Sequence, residues 1–416
     1  MGNQKRCRLC RSSALRTFYN ISDVYLGDHF AASPSESLNS PCADVSVFVC
    51  ERCFHVQQPD VVKPDLVWKK YTYRSGMALG MKAHLQDLKQ SISKFMQGVV
   101  PSAVLDIGSN DGTFLSLFDA QRSRVLGVDP APQIGMQANE RGIPTISGLW
   151  GKAQASAVIN LIGKPDLITA FNVFGHMEDL EDFIAGVSMC LGPEGVFVFE
   201  CQYLLDVIDK TLAPTFFHEH VSHHHLLALD NFFSRFGLEL ADAFHADIQN
   251  GAVVGFVRWR ASLPKTSRLT RLIEIERVFQ ETLLEEGLFE RNVARTIEKI
   301  ERSLEAHARA IGKTRSDLVI VGFGASRSAS VIMRLIPILG KAYCIFDENQ
   351  RINGFFYPGS RLRITDDLKV LDSADIIINL AWSHAEPIVE RLIEQFGGER
   401  KLILNPFPYI DNFCEV

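Results

Sequence analysis

Short apolar runs punctuate the middle and the end of the chain, and the stretches between them carry the spacing of amphipathic helices. Ala103–Ile107 reads as a buried strand, Gly108–Gly112 as a glycine-bearing turn, and Thr113 onward as a helix. Strand-like runs recur at 125–130 (VLGVDP), 166–174 (DLITAFNVF) and 195–201 (GVFVFEC), each leaving room for a helix before the next. That alternation predicts a parallel, doubly wound sheet. Gly237–Ala243 and Ala252–Trp259 are expected as its last, more exposed strands. A second α/β unit opens at 317–330 (DLVIVGFGASRSAS) and continues through 342–349, 374–382 and 401–408.

Three further stretches complete the pattern. Residues 75–95 place Met77, Met81, Leu85 and Leu88 at helical spacing. Residues 269–311 are charged and periodic and read as two helices broken near Gly287, with their charges on a solvated face. Residues 1 to 60 hold two cysteine pairs with strand-like pieces such as VSVFVC. The fold class is α/β, in three domains: a zinc-binding module at 1–75, a central Rossmann-like domain at 76–262, and a helical bridge with a C-terminal Rossmann-like domain at 263–416.

Composition narrows the class. With 416 residues, 46% hydrophobic and 22% charged, the chain has the balance of a soluble globular enzyme. A net charge of -6 supplies no basic field for nucleic acid. No apolar run reaches the ~18 residues that span a bilayer, and the polar N-terminus lacks the apolar core of a signal peptide. A cytoplasmic protein is expected, where disulfides are rare.

Four of the nine cysteines form two CxxC pairs, Cys7/Cys10 and Cys50/Cys53. Two such knuckles point four thiolates at one spot, which selects zinc and leaves no position open for water or substrate. The loop between them, Arg11 to Val49, is 39 residues long, which exceeds the usual ribbon. The remaining cysteines (Cys42, Cys190, Cys201, Cys344, Cys414) read as small core residues.

The turn DIGSNDG places Asp106, Gly108, Asn110, Asp111 and Gly112 where a strand gives way to a helix. Its glycines let the backbone approach a ligand, but the G-x-G-x-x-G of a dinucleotide reader is absent. Asp129 closes the second strand, 23 residues after Asp106, where a carboxylate accepts both ribose hydroxyls of an adenosyl group. Gly148, Leu149 and Trp150 offer an apolar surface for adenine, and Asn172 ends the fourth strand near the reactive centre. The turn resembles the first motif of class I methyltransferases.

Residues 215–225, TFFHEHVSHHH, hold five histidines: His218, His220, His223, His224 and His225, with Glu219 among them. His176 follows Asn172 by four. Metal ligation by His218, His220 and Glu219 is one reading, without an evident further ligand. General acid–base chemistry fits better, a histidine taking a weakly acidic C–H proton while a carboxylate sets its tautomer. Among His223–His225, two are expected to be surface bystanders.

Taken together, CRLC and CERC, YTYRSG, DIGSNDG, NVFGHMEDLEDF, ECQYLLDVIDK, FHEH, GFGAS and FDENQRINGFFYPGS resemble the three-domain sugar C-methyltransferases of deoxysugar biosynthesis. The resemblance implies S-adenosylmethionine and a structural zinc as cofactors. It implies a nucleoside-diphosphate 4-keto-6-deoxyhexose as small-molecule substrate, methylated at C-3 or C-5 after proton abstraction and enolate attack on the sulfonium methyl. It gives the base to His220, with Glu219 beside it, and contacts to the keto sugar to His176, His218 and Tyr71 or Tyr73. Gly324, Arg327 and Ser328 would hold the substrate's nucleotide, in a monomer or homodimer. Phe217 replaces the family's tyrosine, Gln249-Asn250-Gly251 its His-Gly-Gly turn, and Ser328 a common lysine. O- or N-methylation of another small molecule, and a non-catalytic adenosyl-binding module, are the competing readings.

Overall fold

The computed structural model describes residues 6–63, 66–67, 74–77, 80–261, 264–396 and 401–412. Its chain gathers into two compact units, each assembled from separated segments. The first comprises Met1–Arg16, Phe48–Leu205 and Glu219–Leu284; the second comprises Thr17–Val47, Asp206–His218 and Glu285–Val416.

In the first unit the apolar runs become β1 (Ala103–Ile107), β2 (Arg124–Asp129), β3 (Thr145–Ser147), β4 (Leu167–Phe171), β5 (Val196–Gln202), β6 (Leu238–Ala246) and β7 (Ala252–Trp259). They form one sheet in the order β6-β7-β5-β4-β1-β2-β3. The pairs β1/β2, β1/β4, β2/β3 and β4/β5 are parallel, whereas β7 runs antiparallel to β5 and β6. The chain leaves β1 toward β2 and β3 and later crosses back to β4, so a switch point falls between β1 and β4. A ligand crevice forms there at the carboxyl ends of the strands.

Two expectations change. The last strands are not exposed: β7 lies between β6 and β5, and its first six residues are buried. Val254 and Phe256 pack against Leu85, Leu88 and Ile92 of the Met81–Phe95 helix, with Phe95 stacked on Phe256 at 4.6 Å. The turn after β1 leads into a three-residue 3₁₀ turn, Leu115–Leu117, instead of a helix from Thr113. Asp111 Oδ1 takes both the N–H and the hydroxyl of Thr113, a local bond that competes with helical pairing.

The second unit contains β8 (Ile320–Phe323), β9 (Cys344–Phe346), β10 (Ile364–Thr365), β11 (Ile376–Asn379), β12 (Leu402–Asn405) and β13 (Ile410–Asp411). Their order is β10-β9-β8-β11-β12-β13, with only the β12/β13 pair antiparallel. Most of the long loop between the cysteine pairs, Thr17–Val47, belongs to this unit as a ribbon that carries the greater part of the strands Leu15–Tyr25 and Cys42–Cys50. Its Phe18 and Tyr19 pack with Phe216 around Phe289, at centroid distances of 5.0 to 6.2 Å.

The charged periodic stretch forms helices Ser267–Leu283 and Leu288–Ala310, broken at Gly287 with φ +68°. Its charges are not all solvated, because Glu276 is buried. Four donors satisfy that carboxylate: the N–H groups of Leu226 and Leu227, the Tyr203 hydroxyl and His225 Nδ1. Of the scattered cysteines, Cys190, Cys201 and Cys344 are buried, Cys42 is exposed on the ribbon, and Cys414 lies outside the described residues. No helix among the described residues is long and apolar enough to cross a membrane.

Candidate active site

The crevice at the ends of β1, β2 and β4 is a cleft of about 670 Å³ lined by Gly108, Asn110, Asp129, Trp150, Asn172 and His176, among others. Gly108 has φ +69°, and a Cβ there would come within 2.2 Å of Val173 Cγ2. The backbone passes this point only without a side chain. Asn110, also left-handed at φ +50°, sends its N–H to Asp129 Oδ2 at 2.9 Å and takes the Ser75 N–H on Oδ1 at 3.0 Å. Asp129 Oδ1 accepts the Ala131 N–H at 2.8 Å. Each carboxylate oxygen thus has one fixed donor and keeps lone-pair capacity toward the cleft, which suits a vicinal diol. Burial raises the Asp129 carboxyl above its ordinary range, and the two N–H bonds and the nearby Arg74 guanidinium oppose the shift.

Leu149 and Trp150 give the β2–β3 side an apolar wall, and Trp150 is fixed by its indole N–H on the Phe183 carbonyl at 3.0 Å. Asp106 and Asp111 do not line the cleft. Asp106 lies beneath it, taking the Thr169 hydroxyl at 2.7 Å. Asp111 ties the turn to neighbouring segments, with Oδ2 accepting the Gly76 N–H and pairing Arg141 at 3.3 Å. Gly112, at φ +76°, packs on Ile143. These residues fit an adenosyl group: a diol acceptor, an apolar wall, and a turn that admits no side chain.

The histidine stretch divides between the units. His176 lines the cleft, and its Nδ1–H donates to the Glu219 carbonyl at 2.9 Å, which leaves Nε2 as the basic nitrogen of the neutral ring. The His220 ring lies 4.9 Å from the His176 ring, nearly perpendicular, and the His220 carbonyl takes Gln58 Nε2 at 2.7 Å. The Glu219 contact with His176 is thus made by its backbone carbonyl.

The expectation of surface bystanders among His223–His225 fails, because all three are buried. Burial pushes His223 and His224 down to about 3, so both are neutral. His224 stacks on the fully buried His55, and His225 bridges Glu276 and the Cys53 carbonyl. His218 belongs to the second unit, where its Nε2 meets the Ala43 carbonyl at 3.1 Å. Tyr71 and Tyr73 lie outside the described residues.

In the second unit Gly324 turns after β8 with φ +88°, and Asp347 at the end of β9 takes the Ala325 N–H at 2.7 Å. Ser328 is buried and its hydroxyl accepts the Trp382 indole N–H at 2.7 Å, while the Arg327 backbone packs directly on Gly27.

Cys7, Cys10, Cys50 and Cys53 bring their sulfurs within 4.8 Å of one another, the one such cluster of ligating groups found among the described residues. The Cys7–Cys53 and Cys10–Cys50 sulfurs are 3.5 Å apart, too far for disulfides and close to the edges of a tetrahedron with bonds of about 2.3 Å. The hydrogen bond to Cys50 and burial push the Cys7 thiol up to about 12, while bonds from Cys53 and Cys7 pull Cys50 far below its ordinary value. The four clustered thiols are the donor set that a zinc ion deprotonates and holds.

Several residues of the site were not singled out from sequence. Arg74 sits within YTYRSG beside Asp129, and Glu200 is the one acid inside the apolar run GVFVFEC. Its carboxylate pairs with His84 and takes the Asn172 amide.

This sheet, with a glycine turn after its first strand and a buried acid closing its second, is that of an S-adenosylmethionine-dependent methyltransferase. Residues 80–243 match a family model for a methyltransferase domain, residues 7–68 one for a zinc binding domain, and residues 248–407 one for a C-methyltransferase C-terminal domain. The C-methyltransferase NovU of Streptomyces niveus is 26% identical over 418 aligned residues, which cover 97% of this chain and 96% of NovU. The three matches and this relative together support a three-domain C-methyltransferase family for the chain. Similar solved structures include an S-adenosylmethionine-dependent methyltransferase from Clostridium acetobutylicum (13% identity, TM-score 0.36, 45% of this chain and 94% of that one). Another is magnesium protoporphyrin IX methyltransferase from Synechocystis (15% identity, TM-score 0.35, 44% and 85%).

Proposed function

We propose that the protein methylates carbon in a nucleoside-diphosphate 4-keto-6-deoxysugar, with His220 as the base. The observation that carries this reading is the His176–His220 pair, 4.9 Å apart, one of whose members lines the adenosyl cleft. Bound S-adenosylmethionine supplies an electrophilic methyl on sulfur. Asp129 holds its ribose, and Trp150 with Leu149 shields its adenine. A ketone acidifies the neighbouring C–H, and His220 takes that proton, leaving the electron pair on the carbon that C-methylation needs. His176, its Nδ1–H fixed on the Glu219 carbonyl, presents Nε2 as an acceptor that orients the sugar by taking a hydroxyl beside the ketone. The turn at Gly324, with Arg327 and Ser328, is the proposed holder of the nucleotide.

The test separates proton removal from methyl transfer. Incubation with the keto sugar in deuterated solvent, without methyl donor, reads exchange at the carbon next to the ketone. His220→Ala should slow that exchange by roughly 10²–10⁴-fold and leave S-adenosylmethionine binding intact. Wild-type exchange in that variant, with loss in His176→Ala, would exchange the two roles. With methyl donor present, NMR locates the new methyl, and its appearance on oxygen or nitrogen would overturn the reading.

A further inference from the structure

Asn172 ends β4 in the left-handed region, φ +56°, and lines the cleft. Its backbone N–H bonds the Glu200 carbonyl at 2.8 Å, and its side-chain Nδ2 donates to Glu200 Oε1 at 3.1 Å. Glu200 is wholly buried on β5, and its other oxygen, Oε2, meets His84 Nε2 at 2.5 Å. Burial lowers the His84 imidazole, but the hydrogen bond to Glu200 and its charge more than offset this, so the net shift is upward. Glu200 on the sheet and His84 on the Met81–Phe95 helix thus form a close pair.

Glu200 Oε1 accepts from the Asn172 NH₂, which sets the end of the amide that faces it. The NH₂ end must point at Glu200, and the carbonyl oxygen is directed away from it. Strand order fixes what that oxygen meets. The ribose acceptor is on β2 and the apolar wall on the β2–β3 side, so a ligand running along the strand ends places its other end over β1 and β4. For an adenosyl amino acid, that end carries the α-ammonium.

We propose that Glu200, held by His84, is a positioning residue that orients the Asn172 amide so that its carbonyl oxygen receives the methyl donor's ammonium group. Without that carboxylate the amide can turn either way, and half of its orientations present NH₂ to a cation.

Calorimetry with S-adenosylhomocysteine and its desamino analogue, which lacks only the ammonium, tests this in the full chain. The wild type should bind the amine-bearing ligand roughly 10- to 100-fold more tightly, as a charge-assisted hydrogen bond implies. Glu200→Gln should lose most of that ratio while its affinity for the desamino analogue stays at the wild-type level. Asn172→Gly, which suits the left-handed backbone and keeps the sheet intact, should lose it too. The double variant should lose no more than Asn172→Gly alone, because both act through one amide. Equal weakening of both ligands by Glu200→Gln, or an undiminished ratio in Asn172→Gly, would overturn the proposal. Wild-type affinity for the desamino analogue reports separately that the adenosyl site itself is correctly placed.

Discussion

Asp106 shows how much of a single residue's behaviour is decided by what packs around it. Burial inside the sheet pushes its carboxyl up to about 7; the Thr169 hydroxyl opposes the shift and Asp129 adds to it. In the unfolded chain an aspartate titrates near ~3.9, so between about pH 4 and 7 the folded state holds a proton that the unfolded state has released. The stability tied to that proton is complete below the unfolded value and is lost as pH rises through the folded one. Asp106→Asn keeps the shape and removes the titration. The difference in Tm between variant and wild type should therefore grow in the variant's favour from pH 4 to pH 8. A constant difference across that range would show that Asp106 ionises as an exposed carboxylate does. The same residue was visible in the sequence as part of the turn, but not its submerged position. The positions of Gly108 and Asp129 were legible because their spacing from the strand ends sets them at the cleft. Glu200 and His84 were not, since they pair across 116 residues and a lone acid in an apolar run does not name its partner.

Elements were legible where one face decided them and misread where a side chain intervened. The helix expected after the glycine turn gives way because Asp111 takes the donors of Thr113. The overlong loop between the cysteine pairs makes sense once its ribbon is seen packing on Phe289 of the second unit. Around the knuckles themselves, Arg8 reaches the Val221 and Gln58 carbonyls, and Gln58 in turn holds the His220 carbonyl. The metal module therefore grips the loop that carries the proposed base. One zinc per chain is expected by elemental analysis, with Cys50→Ser losing it. Loss should also speed backbone hydrogen exchange across residues 219–225, because the grip depends on the folded knuckle. Full metal content in Cys50→Ser, or unchanged protection of that loop once the metal is gone, would separate the metal from the loop.

At the scale of the whole chain, the compact units do not follow contiguous stretches of sequence. Periodicity reports which residues are apolar and in what rhythm, but not which distant segment covers them. The second unit draws its cover from 17–47 and 206–218: Phe289 is buried against Phe18, Tyr19 and Phe216. The Ser37 hydroxyl bonds the Tyr357 carbonyl at 2.6 Å, and Ser330 bonds the Tyr25 carbonyl at 2.9 Å. A fragment of residues 263–416 contains the entire β8–β13 sheet and lacks all of these partners. Each large side chain left uncovered forfeits about 1.5–3 kcal/mol, and a domain's whole margin is about 5–15 kcal/mol. Two or three such losses, with the unmet hydrogen bonds, consume that margin. The fragment should therefore show no sharp thermal transition by circular dichroism and should be cut rapidly by protease, while the full chain resists. A cooperative, protease-resistant fragment would mean that the sheet supplies its own core and that the ribbon's contacts add little.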